Sequence, residues 1–157
     1  MFSCIIGPNL ELRLHEDRFA QEMFDVSRAN ADHLRPWMGW IEKTKSIDDT
    51  RKHIRESMEG FINRKCVNTG IWENNRFIGS AALHEISWPR RFAEMGYWVI
   101  ESAQGRGIVT RAATALINHA FNDLKLHRVE IRCDPDNARS RAIPKRLGFR
   151  IRDFFFE

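Results

Sequence analysis

Cysteine is scarce in this sequence. Its three cysteines, Cys4, Cys66 and Cys133, are odd in number and widely spaced, and no C-x-x-C pair occurs. That pattern is typical of neither a disulfide framework nor a zinc site. We therefore expect reduced thiols and no bound metal.

Long apolar runs are absent as well. No stretch approaches the roughly 20 consecutive apolar residues that a membrane-spanning helix requires. The opening residues, MFSCIIGP, contain no basic region of the kind that begins a signal peptide. These absences predict a cytoplasmic protein without a membrane partner. Repeats and low-complexity tracts are also missing, and 157 residues are the size of one domain, so we expect a single domain over 1–157.

Positive charge is concentrated in the C-terminal third of the chain. The net charge is +4, and eight arginines and lysines lie between Arg128 and Arg152, against three carboxylates. Such a surface attracts either a nucleic acid or a phosphorylated small molecule. No stacking platform or reading helix is visible in this region, so we do not expect a nucleic-acid partner.

The spacing of apolar residues predicts a mixed α/β (α+β) fold. Alternation with polar residues indicates strands, and recurrence every three to four residues indicates helices. The order predicts a largely antiparallel central sheet, flanking helices and one strand-helix-strand crossover. The predicted strands are 10–15, 67–73, 76–86, 92–100, 128–133 and the chain from 149 onward; the predicted helices are 16–28, 31–40, one that begins after Ser46, 108–124 and 140–147.

The segment Gln104-Gly105-Arg106-Gly107, between a strand and the helix that begins at Ile108, is the most informative motif. Two glycines allow successive amides to point into one concavity, and the helix adds its unpaired N–H groups. The spacing excludes a Walker loop, and Thr110 stands where a dinucleotide fingerprint needs its third glycine. The motif predicts a pyrophosphate site; a plain tight turn is the alternative.

Four motifs in this order resemble the GCN5-related N-acetyltransferases (GNAT), and most closely the bacterial branch that acetylates the N-termini of ribosomal proteins. The resemblance implies a GNAT fold, acetyl-CoA as cofactor without a metal, and an amine acceptor such as a ribosomal protein N-terminus. Relatives usually continue through one more hairpin arm, so we expect the final strand to be missing here. The alternatives are a shortened chain, a homodimer in which a partner chain supplies the strand, and an incomplete acceptor site. The motifs are Glu94–Val99 (EMGYWV), Gly105–Thr110 (GRGIVT), Asn137–Ser140 (NARS) and Arg146–Phe149 (RLGF).

The resemblance also implies where the cofactor lies. An amide of Val99 or Ile100 would bond the thioester oxygen, and the amides of the glycine loop would hold the pyrophosphate. Core packing, helix capping and solvated surface charge are the alternatives for these residues. The implied cofactor-binding set is Trp98, Val99, Ile100, Gln104, Gly105, Arg106, Gly107, Ile108, Val109, Thr110, Arg111, Asn137, Arg139, Ser140 and Arg141.

The catalytic and acceptor residues are less defined by the sequence. Ser140 matches a position that protonates the CoA thiolate, with helix capping as the alternative. Glu94, His84 and Glu85 compete for the role of general base. An α-amino group has a pKa near 8, so roughly a tenth of it is neutral at pH 7 and the base has little to do. The candidate acceptor-pocket residues, which core packing would equally explain, are Trp37, Trp40, Phe61, Glu85 and Trp88.

Three functions follow from this set. We expect first an acetyl-CoA-dependent N-acetyltransferase that acts on a protein N-terminal α-amine. A polyamine or antibiotic acetyltransferase is the near alternative. Its polycationic acceptor requires an acidic pocket, and the sequence has no obvious acidic cluster. A non-catalytic CoA-binding or interaction module is the third.

Overall fold

The structure, a computed structural model, describes residues 3–151. Its centre is a six-stranded sheet in the order β1-β2-β3-β4-β5-β6, in which neighbours are antiparallel except for β5 and β6, which are parallel. The predicted antiparallel centre with one crossover is confirmed. The strands are β1 (Ser3–Gly7), β2 (Leu10–Leu14), β3 (Val67–Glu73), β4 (Arg76–Ser87), β5 (Phe92–Val99) and β6 (Arg128–Ile131).

Five α-helices flank the sheet within the described residues. Short 3-10 turns precede α1 and follow α2, and a π-helical turn over His119–Asp123 follows α4. None of these helices is long and apolar enough to cross a membrane. The helices are α1 (Ala20–Ala29), α2 (Ala31–Leu34), α3 (Ile47–Ile62), α4 (Ile108–Asn118) and α5 (Ala138–Arg146).

Local signals placed two boundaries correctly. Asn74 and Asn75 both adopt positive φ, 51° and 61°, which is the left-handed conformation that a tight β3–β4 hairpin needs. Helix α3 begins after Ser46, whose N–H donates to the Asp49 carboxylate at 3.1 Å. This is the reciprocal bond of a capping box, so the predicted helix start is confirmed.

Other predicted boundaries were wrong. Strand β1 was not predicted, because its five residues acquire strand geometry by pairing with β2. The helix expected over 108–124 is α-helical only to Asn118, and α5 begins at Ala138 instead of Ser140. Phe149 to Ile151 form no strand: Phe149 packs against the core and Ile151 is 68% exposed. The remainder of that predicted strand lies outside the described residues.

The sheet is buried on both faces. One face packs against α4, with Leu12, Leu83, Met95 and Leu116 fully buried. The other face packs against α1 and α3 through a smaller cluster that includes Ile54. Adjacent residues of β5 therefore point alternately to the α4 side and to the α1–α3 side, which decides what each can contact.

His15, immediately after β2, gives an expected acid sensitivity. It is 4% exposed, and burial next to His53 lowers its pKa from 6.5 to about 3. Between these values the unfolded chain binds a proton that the folded chain does not, so stability is lost as pH falls below 6.5. We expect the unfolding free energy to fall by about 1 kcal/mol from pH 7 to pH 5.5, since one pKa unit corresponds to about 1.4 kcal/mol. Urea denaturation of the wild type and His15→Gln measures this, and an equal pH slope in both proteins would contradict it.

Candidate functional site

The glycine loop forms an open cradle of amides. Gly105 and Gly107 have φ values of 74° and 73°, and a Cβ atom on either would meet nothing within 4 Å. The Arg111 N–H donates to the Gly107 carbonyl at 3.1 Å. Within residues 3–151, the amides from Gly105 to Thr110 donate to no backbone carbonyl. Because these donors face free space at a helix N-terminus, they fit a pyrophosphate.

A wedge opens between β5 and β6 beside this loop. The two strands pair only from Phe92↔Arg128 to Met95↔Ile131. Ile100 N–H donates to the Ile78 carbonyl at 2.9 Å, so that amide is already bonded to the β4 side. Because amides alternate along a strand, the N–H of Val99 points into the wedge. Of the two amides expected near the thioester, the structure leaves Val99 available and engages Ile100.

Helix α5 forms the opposite wall of the wedge. The Tyr97 hydroxyl donates to the Ser140 carbonyl at 2.9 Å, and the Ser140 hydroxyl lies 3.4 Å from the sulfur of Cys133. Asn137 caps the helix by accepting from the Ser140 N–H at 3.1 Å. Burial, together with the neighbouring Cys133, raises the pKa of Tyr97. The structure therefore places Ser140 at the wedge and fixes it from two sides.

The sequence did not assign a role at the site to two members of this wall. Cys133, expected only to be a reduced thiol, lies beside the Ser140 hydroxyl. Tyr97 is buried in the core, and its hydroxyl in addition anchors α5 to β5. Its place in the EMGYWV motif and its being the single tyrosine of the chain are the sequence signals that set it apart.

The four arginines expected at the cofactor phosphates are placed differently from one another. Arg106 pairs with Glu73 at 2.5 and 3.1 Å, and the Arg111 guanidinium lies against Gly7 of β1. Arg141 donates to a backbone carbonyl at 2.9 Å. Arg139 reaches across from α5 to the glycine loop, where it donates to the Gln104 side chain. Phosphate contacts by all four guanidinium groups stay predictions, and each group already has another contact in the structure.

Two of the three candidates for the general base lie next to each other in the structure. Glu94, which is 9% exposed, lies 3.4 Å from the ring nitrogen Nε2 of His84 through one carboxylate oxygen. Its other oxygen lies 2.8 Å from Arg132 Nε, within ion-pair distance. A β-bulge in β4 between Leu83 and Glu85 turns His84 over Gly96, where there is no side chain to obstruct the ring. The result is a carboxylate–imidazole pair within ion-pair distance at the closed end of the wedge.

The structure also assembles an acidic row that the sequence did not reveal. Glu94 is in register with Glu85 on β4 and with Glu130 on β6. Side chains at paired positions lie on the same face of a sheet. The sequence shows no obvious acidic cluster, whereas strand register brings these three glutamates together on neighbouring strands.

The candidate acceptor residues do not all lie together. The Trp40 ring is 5.6 Å from that of Trp98, and Trp37 and Trp40 are both partly exposed. Phe61 instead packs against the core. Trp88 lies at the turn before β5, where its Nε1 donates to a backbone carbonyl at 2.6 Å. Trp37 and Trp40 remain candidates for the acceptor wall, whereas Trp88 lies at the other end of β5 from Trp98.

A mixed sheet that opens beside an amide-lined glycine loop defines an acyl-CoA-dependent N-acyltransferase. The sequence profile of the acetyltransferase (GNAT) domain matches residues 9–150, and the chain belongs to this family. It is an acetyl-CoA-dependent N-acetyltransferase.

The relatives point to one branch of the family. YdaF of Bacillus subtilis (strain 168) is 31% identical over 150 residues, which cover 95% of this chain and 82% of YdaF. The ribosomal-protein-serine acetyltransferase of Escherichia coli (strain K12) is 28% identical over 144 residues, covering 92% and 80%. The structure of RimL, a ribosomal L7/L12 α-N-protein acetyltransferase in complex with coenzyme A, superposes with a TM-score of 0.89 at 26% identity, covering 92% of this chain and 82% of RimL.

Proposed function

We propose that the chain acetylates the α-amino group of a protein N-terminus. The observation that carries this proposal is the Glu94–His84 pair, 3.4 Å apart at the closed end of a wedge that begins at the glycine loop. The similarity to two ribosomal-protein acetyltransferases supports the same acceptor class. Trp40, which is partly exposed and lies against Trp98 of β5, is a candidate contact for the acceptor chain.

The cofactor supplies a thioester, and the residues of the chain bind it and transfer the protons. The amides of the glycine loop hold the pyrophosphate, and the Val99 N–H is directed where negative charge develops on the thioester oxygen. His84, held by Glu94, accepts the proton that the ammonium group loses. With acetyl-CoA bound, the amine nitrogen would form its bond to the acetyl carbon as the carbon–sulfur bond breaks. The Ser140 hydroxyl would donate a proton to the departing sulfur, and the second proton that the attacking nitrogen sheds would restore that hydroxyl.

A second candidate acceptor is favoured by the acidic row. Glu85, Glu94 and Glu130 place three carboxylates across neighbouring strands, although Glu94 and Glu130 already pair with arginines. A polyamine carries several positive charges that such a row attracts. The two acceptors differ in what they need, since a peptide N-terminus requires one neutral amine and a polyamine requires counter-charge along its length.

An acceptor panel tests the proposal. Peptides with a free N-terminal serine, alanine or methionine are compared with Nα-formylated peptides that contain one lysine, and with spermidine. We expect acetylation of the free α-amines to be at least tenfold faster than that of lysine, because their pKa is lower by about 2.4 units and more of the amine is neutral. Faster turnover of spermidine would favour the polyamine acceptor, and no peptide turnover would contradict the proposal.

A further inference from the structure

Three loops meet at the end of the sheet where β5 begins. They are residues 63–66 between α3 and β3, residues 88–91 between β4 and β5, and residues 124–127 before β6, a stretch that Arg128 continues as the first residue of β6. Backbone hydrogen bonds connect this end, from Ile86 N to Lys65 O at 3.0 Å and from His127 N to Arg91 O at 2.7 Å. We name this surface the basic edge, and its cationic residues are Arg64, Lys65, Arg90, Arg91, Lys125 and Arg128.

The charge of the basic edge is largely uncompensated. None of the three loops contains aspartate or glutamate, and all six cationic residues are exposed. Arg128 pairs with Glu130. Within residues 3–151, no carboxylate lies within ion-pair distance of the other five. Ordinary protein surfaces intersperse both signs of charge, so a patch of one sign fits an anionic partner.

The cofactor is not that partner. The basic edge precedes β5, and the glycine loop follows it. Eight residues of strand separate the two ends by about 26 Å at roughly 3.3 Å per residue. The phosphates that the glycine loop fits therefore lie at the far end of the sheet, and the basic edge is a separate surface.

One contact in the basic edge distinguishes between anions. The Arg64 guanidinium carbon lies 4.2 Å from the centroid of the Trp88 ring, and the indole N–H donates to the Arg64 carbonyl at 2.6 Å. These two contacts seat the guanidinium over the indole, and Arg64 is exposed to solvent. An exposed guanidinium can stack on an unpaired base, which neither an acidic peptide nor a lipid headgroup supplies.

We infer that the basic edge binds the phosphodiester backbone of an unpaired RNA segment, with one base stacked on Arg64. The expectation from the sequence was different, because the C-terminal third alone shows no stacking platform. Here the platform comes from the α3–β3 and β4–β5 loops, and the cations come from three separate stretches of chain. This inference is independent of which amine the enzyme acetylates.

Fluorescence anisotropy with a labelled 20-nucleotide single-stranded RNA tests the inference. We expect micromolar affinity at low salt and a log–log salt slope near −3, since four to five phosphate contacts contribute about 0.7 each. The triple variant Arg64→Gln, Lys65→Gln, Arg90→Gln should bind at least tenfold more weakly and with a flatter slope. Calorimetric binding of acetyl-CoA by the same variant shows that it is folded.

The control variant removes the same charge elsewhere. Lys43→Gln, Lys45→Gln, Arg76→Gln neutralises three exposed cations outside the basic edge, and RNA affinity should change by less than threefold. If RNA affinity falls equally in both triple variants, binding depends on net charge alone and the inference is overturned. Equally tight binding of a 20-residue polyglutamate, or binding only to vesicles that contain phosphatidylserine, would also overturn it. If Trp88→Leu binds RNA as tightly as the wild type, the inferred stacking of a base on Arg64 is contradicted.

Discussion

Gly107→Glu is expected to abolish acetyl-CoA binding, with an affinity loss of at least about 100-fold, or about 2.7 kcal/mol. Gly107 caps α4 with φ at 73°, and the space where a Cβ would stand is empty. A glutamate at this position would add a negative charge beside the unbonded amides of the loop, repel the cofactor phosphates and impose backbone strain. Isothermal titration calorimetry with acetyl-CoA measures the loss.

Gly148 provides a matched control for this substitution. It also has positive φ, 83°, with open space around its Cβ direction, but it lies at the C-terminal end of α5. Gly148→Glu therefore carries the same kind of backbone strain and the same added charge at a position outside the glycine loop. We expect its affinity for acetyl-CoA to stay within threefold of the wild type. If Gly107→Glu binds as well as this control, the pyrophosphate is held elsewhere.

Glu94→Gln is expected to lower kcat by about 100-fold with an unblocked peptide, with little change in the KM for acetyl-CoA. General-base catalysis contributes about 10²–10⁴ in rate, and the amide cannot stabilise a protonated His84. It also loses the charge that holds Arg132 at 2.8 Å. Glu94 lies at the closed end of the wedge and not at the glycine loop, so the cost falls on the chemical step. Steady-state kinetics with both substrates varied separates these effects.

A double-mutant cycle decides whether Glu94 and His84 act as a unit. If they do, His84→Gln combined with Glu94→Gln loses no more than the worse single variant, because each substitution removes the same function. Additive losses would mean that the two side chains act separately. Glu11→Gln is the matched control: Glu11 is a strand glutamate paired with Arg13, on β2 away from the wedge. A comparable loss of activity in Glu11→Gln would show that Glu94→Gln acts through stability.

The expectations that the structure confirmed rest on contacts between residues close in sequence. The hairpin turn at Asn74-Asn75 needs only left-handed φ at two adjacent residues, and the start of α3 needs only Ser46 and Asp49. The glycine loop and α4 likewise lie within one short stretch. Each such feature depends on backbone chemistry within a few residues, so a single sequence is sufficient to predict it.

Only the tertiary structure decided which side chains of different strands meet. His84 meets Glu94 because a bulge shifts the register of β4, and a one-residue slip would turn either side chain to the other face. The acidic row, the basic edge and the contact of Tyr97 with Ser140 join residues tens of positions apart. The sequence by itself thus determined the fold class, the family and the position of the glycine loop. Only tertiary structure decided which carboxylate has a partner and where the charge accumulates, because register and long-range packing set those contacts.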